Sequence, residues 1–189
     1  MIEVRWHGRG GQGAKTASHV LAVAYLKEGK AVQAFPEYGP ERSGAPMLAY
    51  TRVDERKIRR RCAVTEPDVV VVLDPSLTHE VAITGGLRLD GHLLLNAEEA
   101  RDTGAAVRDY AGEVLAVPAD RLARESGTRF PNVVLLGALA GWLGSPSLAH
   151  LGEALDEVMS GLPAAARAAS QQAMQAGYAA GERGMHHGE

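Results

Sequence analysis

Cysteine is almost absent. Cys62 is the one cysteine in 189 residues, which excludes an internal disulfide framework and any metal cluster held by several cysteines of this chain. Basic charge is not in excess either. Twenty lysines and arginines against 23 acidic residues leave a formal charge of −3, so no nucleic-acid partner is expected. No run approaches the roughly 20 apolar residues needed to cross a bilayer, and no membrane partner is expected. Met1-Ile2-Glu3-Val4-Arg5 lacks the apolar stretch of a signal peptide, so the expectation is a cytoplasmic protein. Also missing are a nucleophile elbow, an H-E-x-x-H pair and a Walker loop, the usual marks of a self-contained reaction centre. What remains is ordinary for a globular chain, with 46% hydrophobic and 23% charged residues. The length suits one domain with a substantial core and an appended helical arm.

Hydrophobic periodicity places the elements. Ile2, Val4 and Trp6 alternate with Glu3, Arg5 and His7, the period-two pattern of a half-buried strand. A helix is predicted from about Ala14 to Lys27, with Ala17, Val20, Leu21 and Ala24 facing inward and Gly29 in the place of a C-terminal cap. Ala31 to Phe35 reads as a second strand stopped by Pro36, and Met47 to Val53 as a third. Val69 to Leu73 is a continuous β-branched run of the kind covered on both faces in a parallel sheet. Leu93 to Leu95 is another buried strand, after which Asn96 and Glu99 have the spacing of a helix N-cap and its reciprocal partner. Val114 to Val117 gives a further strand ending at Pro118. Asn132 to Leu143 is apolar nearly all round, the mark of a buried helix, and the chain beyond Pro146 reads as helical to about Arg183 with a break near Gly161-Leu162-Pro163. Strands alternating with helices imply an α/β fold of the doubly wound kind.

Two loops carry the chemistry. Gly8-Arg9-Gly10-Gly11-Gln12-Gly13 lies between the first strand and the first helix, where backbone N–H groups and the helix dipole favour a phosphate or other anion. Gly8, Gly10 and Gly13 also fit the G-x-G-x-x-G spacing of dinucleotide sites. Such sites require an acidic residue closing the second strand, and Glu37 stands only behind Pro36. Glu3 and Arg5 also make the first strand too polar for the centre of a nucleotide-binding sheet. The readings left open are a tight turn, and a loop touching a non-nicotinamide ligand or a partner chain. The second loop, Phe35-Pro36-Glu37-Tyr38-Gly39-Pro40-Glu41-Arg42-Ser43-Gly44-Ala45-Pro46, interleaves prolines and glycines with aromatic and charged groups. Glu37, Glu41, Arg42 and Ser43 are its candidates for orienting a substrate or pairing across an interface, against the plainer reading of a rigid surface loop. Asp74 ends the β-branched run, facing the same crevice or capping the turn ahead of Ser76. Arg56, Lys57 and Arg59-Arg60-Arg61 form a basic cluster flanked by acidic residues, read as a solvated face. Cys62 reads as a small packing residue, His7 as a hydrogen-bonding support for the glycine loop, and His186-His187 as part of a frayed tail.

Three stretches in order resemble one known family. They are His7 to Gly13, then Gln33-Ala34-Phe35 through Pro46, then Pro67-Asp68-Val69 through Ser76, followed by Asn132 to Ala138. Together they are similar to the gamma subunit of 2-oxoacid:ferredoxin oxidoreductases, of the pyruvate and 2-oxoisovalerate type. The resemblance covers about residues 1–160. It implies a Rossmann-like domain over 1–160, with a mostly parallel sheet flanked by helices, and a C-terminal helical segment over 161–189. It also implies an oxidative decarboxylation in which a 2-oxoacid such as pyruvate and coenzyme A become acyl-coenzyme A and CO2, with electrons passed to ferredoxin. Thiamine diphosphate, Mg2+ and iron–sulfur clusters would then reside in alpha, beta and delta partner subunits or fused equivalents, and this chain would hold none of them alone. Gly8, Gly10, Gly11, Gln12 and Gly13 are the implied cofactor-facing residues, near the coenzyme A path. Glu37, Glu41, Arg42 and Ser43 would stand at the same rim, and a neighbouring chain would satisfy Glu3 and Arg5. The competing readings are a free-standing NAD(P)-binding oxidoreductase and a purely structural assembly subunit.

Overall fold

The computed structural model describes residues 1–37 and 44–185. One sheet runs in the order β2-β3-β1-β4-β5-β6. Its strands are β1 (Ile2–Arg9), β2 (Ala31–Glu37), β3 (Pro46–Asp54), β4 (Val69–Val72), β5 (His92–Asn96) and β6 (Glu113–Val117). β1, β4, β5 and β6 are parallel neighbours, while β3 and β2 extend the sheet antiparallel beyond β1. The helices are α1 (Ala14–Lys27), α2 (Ala105–Arg108), α3 (Ala119–Glu125), α4 (Pro131–Leu143), α5 (Leu148–Val158) and α6 (Ala164–Met185).

Strand alternation divides the core between the two faces of the sheet. Val4, Trp6, Val69, Val71 and Leu94 pack into a cluster with α1, α4, α5 and α6. Val70, Val72, Leu93 and Leu95 point the other way, against Leu77, Ile83 and Val107. All four residues of β4 are buried, as its unbroken valine run requires. α1 leaves β1 on the first face, whereas the connection after β4 carries Leu77 and Ile83 to the second. The chain therefore reverses its winding between β1 and β4, and in open α/β sheets that crevice is where ligands sit.

α4 is buried almost throughout and lies along α6 in backbone contact. A Cβ on Gly137 would stand 2.0 Å from the Met174 carbonyl oxygen, and one on Gly177 would stand 2.0 Å from that of Val134. Gly141 and Gly181 repeat this one turn on, against Tyr178 and Ala138. Two glycine pairs, each at i, i+4, let the helices approach more closely than any side chain permits.

Several expectations need correction. Pro36 does not stop β2, which continues to Glu37. β2 is an edge strand, where the missing N–H breaks no essential ladder bond. No helix begins at Asn96. That residue ends β5, and its side-chain amide donates to the Leu73 carbonyl at 3.0 Å and to Asp120 at 2.9 Å. β1, read as too polar for a central position, is interior to the sheet. Its polar residues find partners within the chain. Glu3 accepts from the buried Arg52 Nε at 2.6 Å, and Arg5 donates to the carbonyls of Ile83 and Gly85 at 2.9 and 2.7 Å. Cys62 is exposed rather than packed.

Candidate functional site: a glycine loop at the winding reversal

Arg9 closes β1, and the loop behind it is braced from inside. Gly10 N–H donates to the Ala45 carbonyl at 3.1 Å, and Gln12 N–H to the Arg9 carbonyl at 3.0 Å. The Gln12 side chain accepts from Arg9 N–H at 2.7 Å and donates to Asp74 at 2.8 Å. Arg9 Nε donates to the same Asp74 oxygen at 2.9 Å, and its Nη2 donates to Ser76 Oγ at 2.7 Å and pairs with Glu80. Asp74 caps the 3₁₀ turn Pro75–His79 by accepting from Ser76 N–H at 3.0 Å, so the crevice-facing and capping readings both hold. Burial works to raise the Asp74 carboxyl. Hydrogen bonds from Ser76 and Gln12 and the Arg9 charge outweigh it, leaving the group below the ordinary carboxylate range.

Positive φ at two glycines sets the shape of the turn. Gly11 (φ 94°) is exposed, with nothing within 4 Å of an added Cβ, whereas Gly13 (φ 82°) is half-buried. A Cβ on Gly13 would fall 2.6 Å from Asn132 Nδ2, which donates to the Gly13 carbonyl at 3.2 Å. Asn132 stands in the first turn of α4, and its Oδ1 is buried with no hydrogen-bond partner among the described residues. Its placement under the loop was not legible in sequence. A lone asparagine after a proline signals only a helix start, and 119 residues separate it from Gly13.

Two of the loop's backbone donors are thus used internally, by Gly10 and Gln12. The N–H groups of Gly11 and Gly13 have no hydrogen-bond partner among the described residues. α1 begins directly behind them with no acidic residue in its first turn, so the positive end of its dipole is uncancelled. Such an arrangement accepts a phosphate or carboxylate.

The three sequence motifs meet here. Gly44 and Ala45, which end the second loop, accept from Arg9 and Gly10, and Asp74 with Ser76 belongs to the third motif. Glu37 ends β2 exposed and accepts from the Tyr50 hydroxyl. Burial and that carboxylate push the Tyr50 phenol up. Glu41, Arg42 and Ser43 lie outside the described residues, as do His186 and His187. The basic cluster is exposed at the opposite end of the sheet, past the end of β3, with Arg60 3.8 Å from Glu3. It is not part of this site. His7 is buried on the second face, where its Nε2 accepts from Arg5 Nε at 3.0 Å. Burial and the Arg5 charge push its pKa down to about 3, so the ring is neutral and supports Arg5 rather than the loop.

Among the described residues no group of three or more His, Cys, Asp or Glu is arranged to hold a metal ion. No helix among them is long and apolar enough to cross a membrane. The lone exposed Cys62 does not fit an iron–sulfur cluster, which takes four ligands.

Comparison with known proteins is consistent with this architecture. The family model for pyruvate ferredoxin/flavodoxin oxidoreductase matches residues 3–180. The chain is 46% identical over 163 residues to the pyruvate/ketoisovalerate oxidoreductases common subunit gamma of Thermococcus kodakarensis, covering 85% of this chain and 88% of that one. It superimposes on the crystal structure of pyruvate oxidoreductase subunit PORC from Thermotoga maritima with a TM-score of 0.80 at 40% identity, covering 94% of this chain and 95% of that one. The same fold, at 18% identity and a TM-score of 0.80, makes up 31% of a longer chain of the 2-oxoglutarate:ferredoxin oxidoreductase from Magnetococcus marinus. This chain therefore belongs to the pyruvate ferredoxin/flavodoxin oxidoreductase family.

Proposed function

We propose that this chain is the gamma subunit of a multi-subunit 2-oxoacid:ferredoxin oxidoreductase, without turnover of its own. The observation that carries this reading is the 46% identity, over most of both chains, to a subunit named as common to pyruvate and ketoisovalerate oxidoreductases. A gamma chain shared between enzymes of different substrates does not choose the 2-oxoacid. Substrate selection then belongs to other chains, in keeping with the lack of a recognisable reaction centre in this sequence. Thiamine diphosphate with Mg2+, and the iron–sulfur clusters that lead to ferredoxin, reside in alpha-, beta- and delta-type partners of a cytoplasmic complex. The partners take CO2 from the 2-oxoacid, pass two electrons to ferredoxin and transfer the acyl group to coenzyme A.

The part assigned to this chain is at the coenzyme A end. The Gly11 and Gly13 N–H groups at the start of α1 would receive a phosphate of coenzyme A, and Gly8, Gly10 and Gln12 hold that turn in shape. Glu37, together with Glu41, Arg42 and Ser43 from outside the described residues, would serve the coenzyme or a neighbouring subunit, the Arg42 guanidinium being chemically suited to bidentate contact with phosphate or carboxylate.

A tagged copy expressed in the native cell tests assembly. Chains carrying thiamine diphosphate and iron are expected to copurify, and recovery of this chain alone would overturn the reading. The Arg42→Ala complex is expected to show a raised Michaelis constant for coenzyme A or a weakened assembly. Unchanged kinetics together with unchanged complex mass would remove Arg42 from the site. Micromolar binding of NAD or NADP to the isolated chain would favour the free-standing oxidoreductase instead.

A further inference from the structure

Among the described residues two arginines, Arg5 and Arg52, are buried on the second face of the sheet, and only Arg52 has a counter-ion there. Arg52 pairs with Glu3 at 2.6 Å. Arg5, 7% exposed, meets the carbonyls of Ile83 and Gly85 and the His7 ring, and no carboxylate of the described residues pairs with it. Buried charges in proteins are ordinarily paired, because an uncompensated one is costly. Arg5 borders a cavity of about 350 Å³, within the size range of small-ligand sites. Met47, Leu48, Leu77 and Val81 give it apolar walls, with Ala82 and Glu37 also lining it.

The donors at its floor have fixed roles. A guanidinium only donates, so the 3.0 Å contact from Arg5 Nε makes His7 Nε2 the acceptor. The neutral ring then carries its proton on Nδ1, which is left as a donor. Neither His7 Nδ1 nor Arg5 Nη1 has a hydrogen-bond partner among the described residues. Neither is among the sealed, unpartnered polar atoms of the fold, a condition met only by Asn132 Oδ1 among the described residues. Both are therefore accessible, on residues that line the cavity.

We propose that this cavity is a carboxylate-binding site, in which Arg5 and His7 hold the acid group and the apolar walls enclose a short hydrocarbon body. None of Gly10 to Gly13 lines it, so it is separate from the glycine loop and stands whether or not that loop takes a phosphate. The same chemistry is supplied by a free short-chain acid or by an acidic side chain of a neighbouring subunit.

The test is titration of the isotope-labelled full chain with isobutyrate at constant ionic strength, read at the His7 ring nitrogens by NMR, with neutral isobutyramide as control. A saturable shift is expected with the acid and none with the amide. Arg5→Lys, which loses the guanidinium fork, is expected to weaken binding about tenfold or more. Ala82 is exposed, so Ala82→Phe leaves the fold intact while narrowing the cavity, with a similar loss expected. Glu37→Gln removes a repelling charge and is expected to tighten binding about threefold. The absence of a saturable shift, or undiminished affinity in Ala82→Phe, would overturn the proposal. Repeating the titration on the assembled complex separates the sources, since retained binding assigns a free acid and abolished binding a neighbour's side chain.

Discussion

His7 and Gly13 show what single positions in this chain are asked to do. His7 is held neutral, with a pKa of about 3 against an ordinary value of 6.5. Between those values the unfolded chain takes up a proton that the folded one refuses. Its contribution to stability is therefore complete above pH 6.5 and is lost progressively as the pH falls toward 3, on the order of a few kcal/mol. Denaturant unfolding of the wild type and His7→Gln is expected to show a shallower loss over that interval in the variant; parallel pH curves would count against a neutral His7. At Gly13 an added methyl group meets both a left-handed backbone and Asn132, whereas at Gly11 it meets only the backbone. Gly13→Ala is expected to cost about 2–3 kcal/mol and Gly11→Ala about 1 kcal/mol, by chemical denaturation. Equal losses would mean that Asn132 gives way freely. The glycines were legible in sequence because a strand-to-helix turn leaves few alternatives. The partners of Arg5 and Glu3 were not, since they come from Ile83, Gly85 and Arg52, 78, 80 and 49 residues away. A charged residue in a strand gives no sign of which distant carbonyl or side chain will meet it.

Elements whose residues follow one strong period were readable, and those whose limits depend on neighbours were not. α1 was placed at its observed bounds, Ala14–Lys27, by its alanine, valine and leucine spacing. α4 declared its burial by being apolar all round, and α5 and α6 divide near Gly161-Leu162-Pro163 as expected. Pro36 misled because edge or interior position belongs to the sheet rather than to the strand. Asn96 and Glu99 matched a capping pattern by spacing alone, while Leu73 and Asp120 engage the asparagine elsewhere. The glycine contacts between α4 and α6 were also missed. An isolated glycine in a helix lowers its propensity by about 1 kcal/mol, and nothing local explains why four are kept. The contact gives Gly177→Ala an unusual sign. Propensity alone predicts a gain of about 1 kcal/mol, whereas a Cβ 2.0 Å from the Val134 carbonyl predicts a loss of about 2–3 kcal/mol. A raised melting temperature in that variant would show that the helices are not in backbone contact.

At the scale of the whole molecule, the winding reversal between β1 and β4 brings three separated sequence motifs to one crevice, and the network of Arg9, Gln12 and Asp74 holds them there. That convergence supports the proposal of a subunit whose glycine turn would receive an anion while its partners perform the chemistry. The reading depends on division of labour between chains, and one measurement addresses it directly. Pyruvate- and coenzyme A-dependent reduction of ferredoxin is followed with the purified chain alone, with the partner chains alone, and with the reconstituted complex. No reduction by this chain alone, and full activity only when it is added back, is the predicted result. Sustained turnover by the isolated chain, or undiminished acyl-coenzyme A formation by the partners without it, would contradict the assignment.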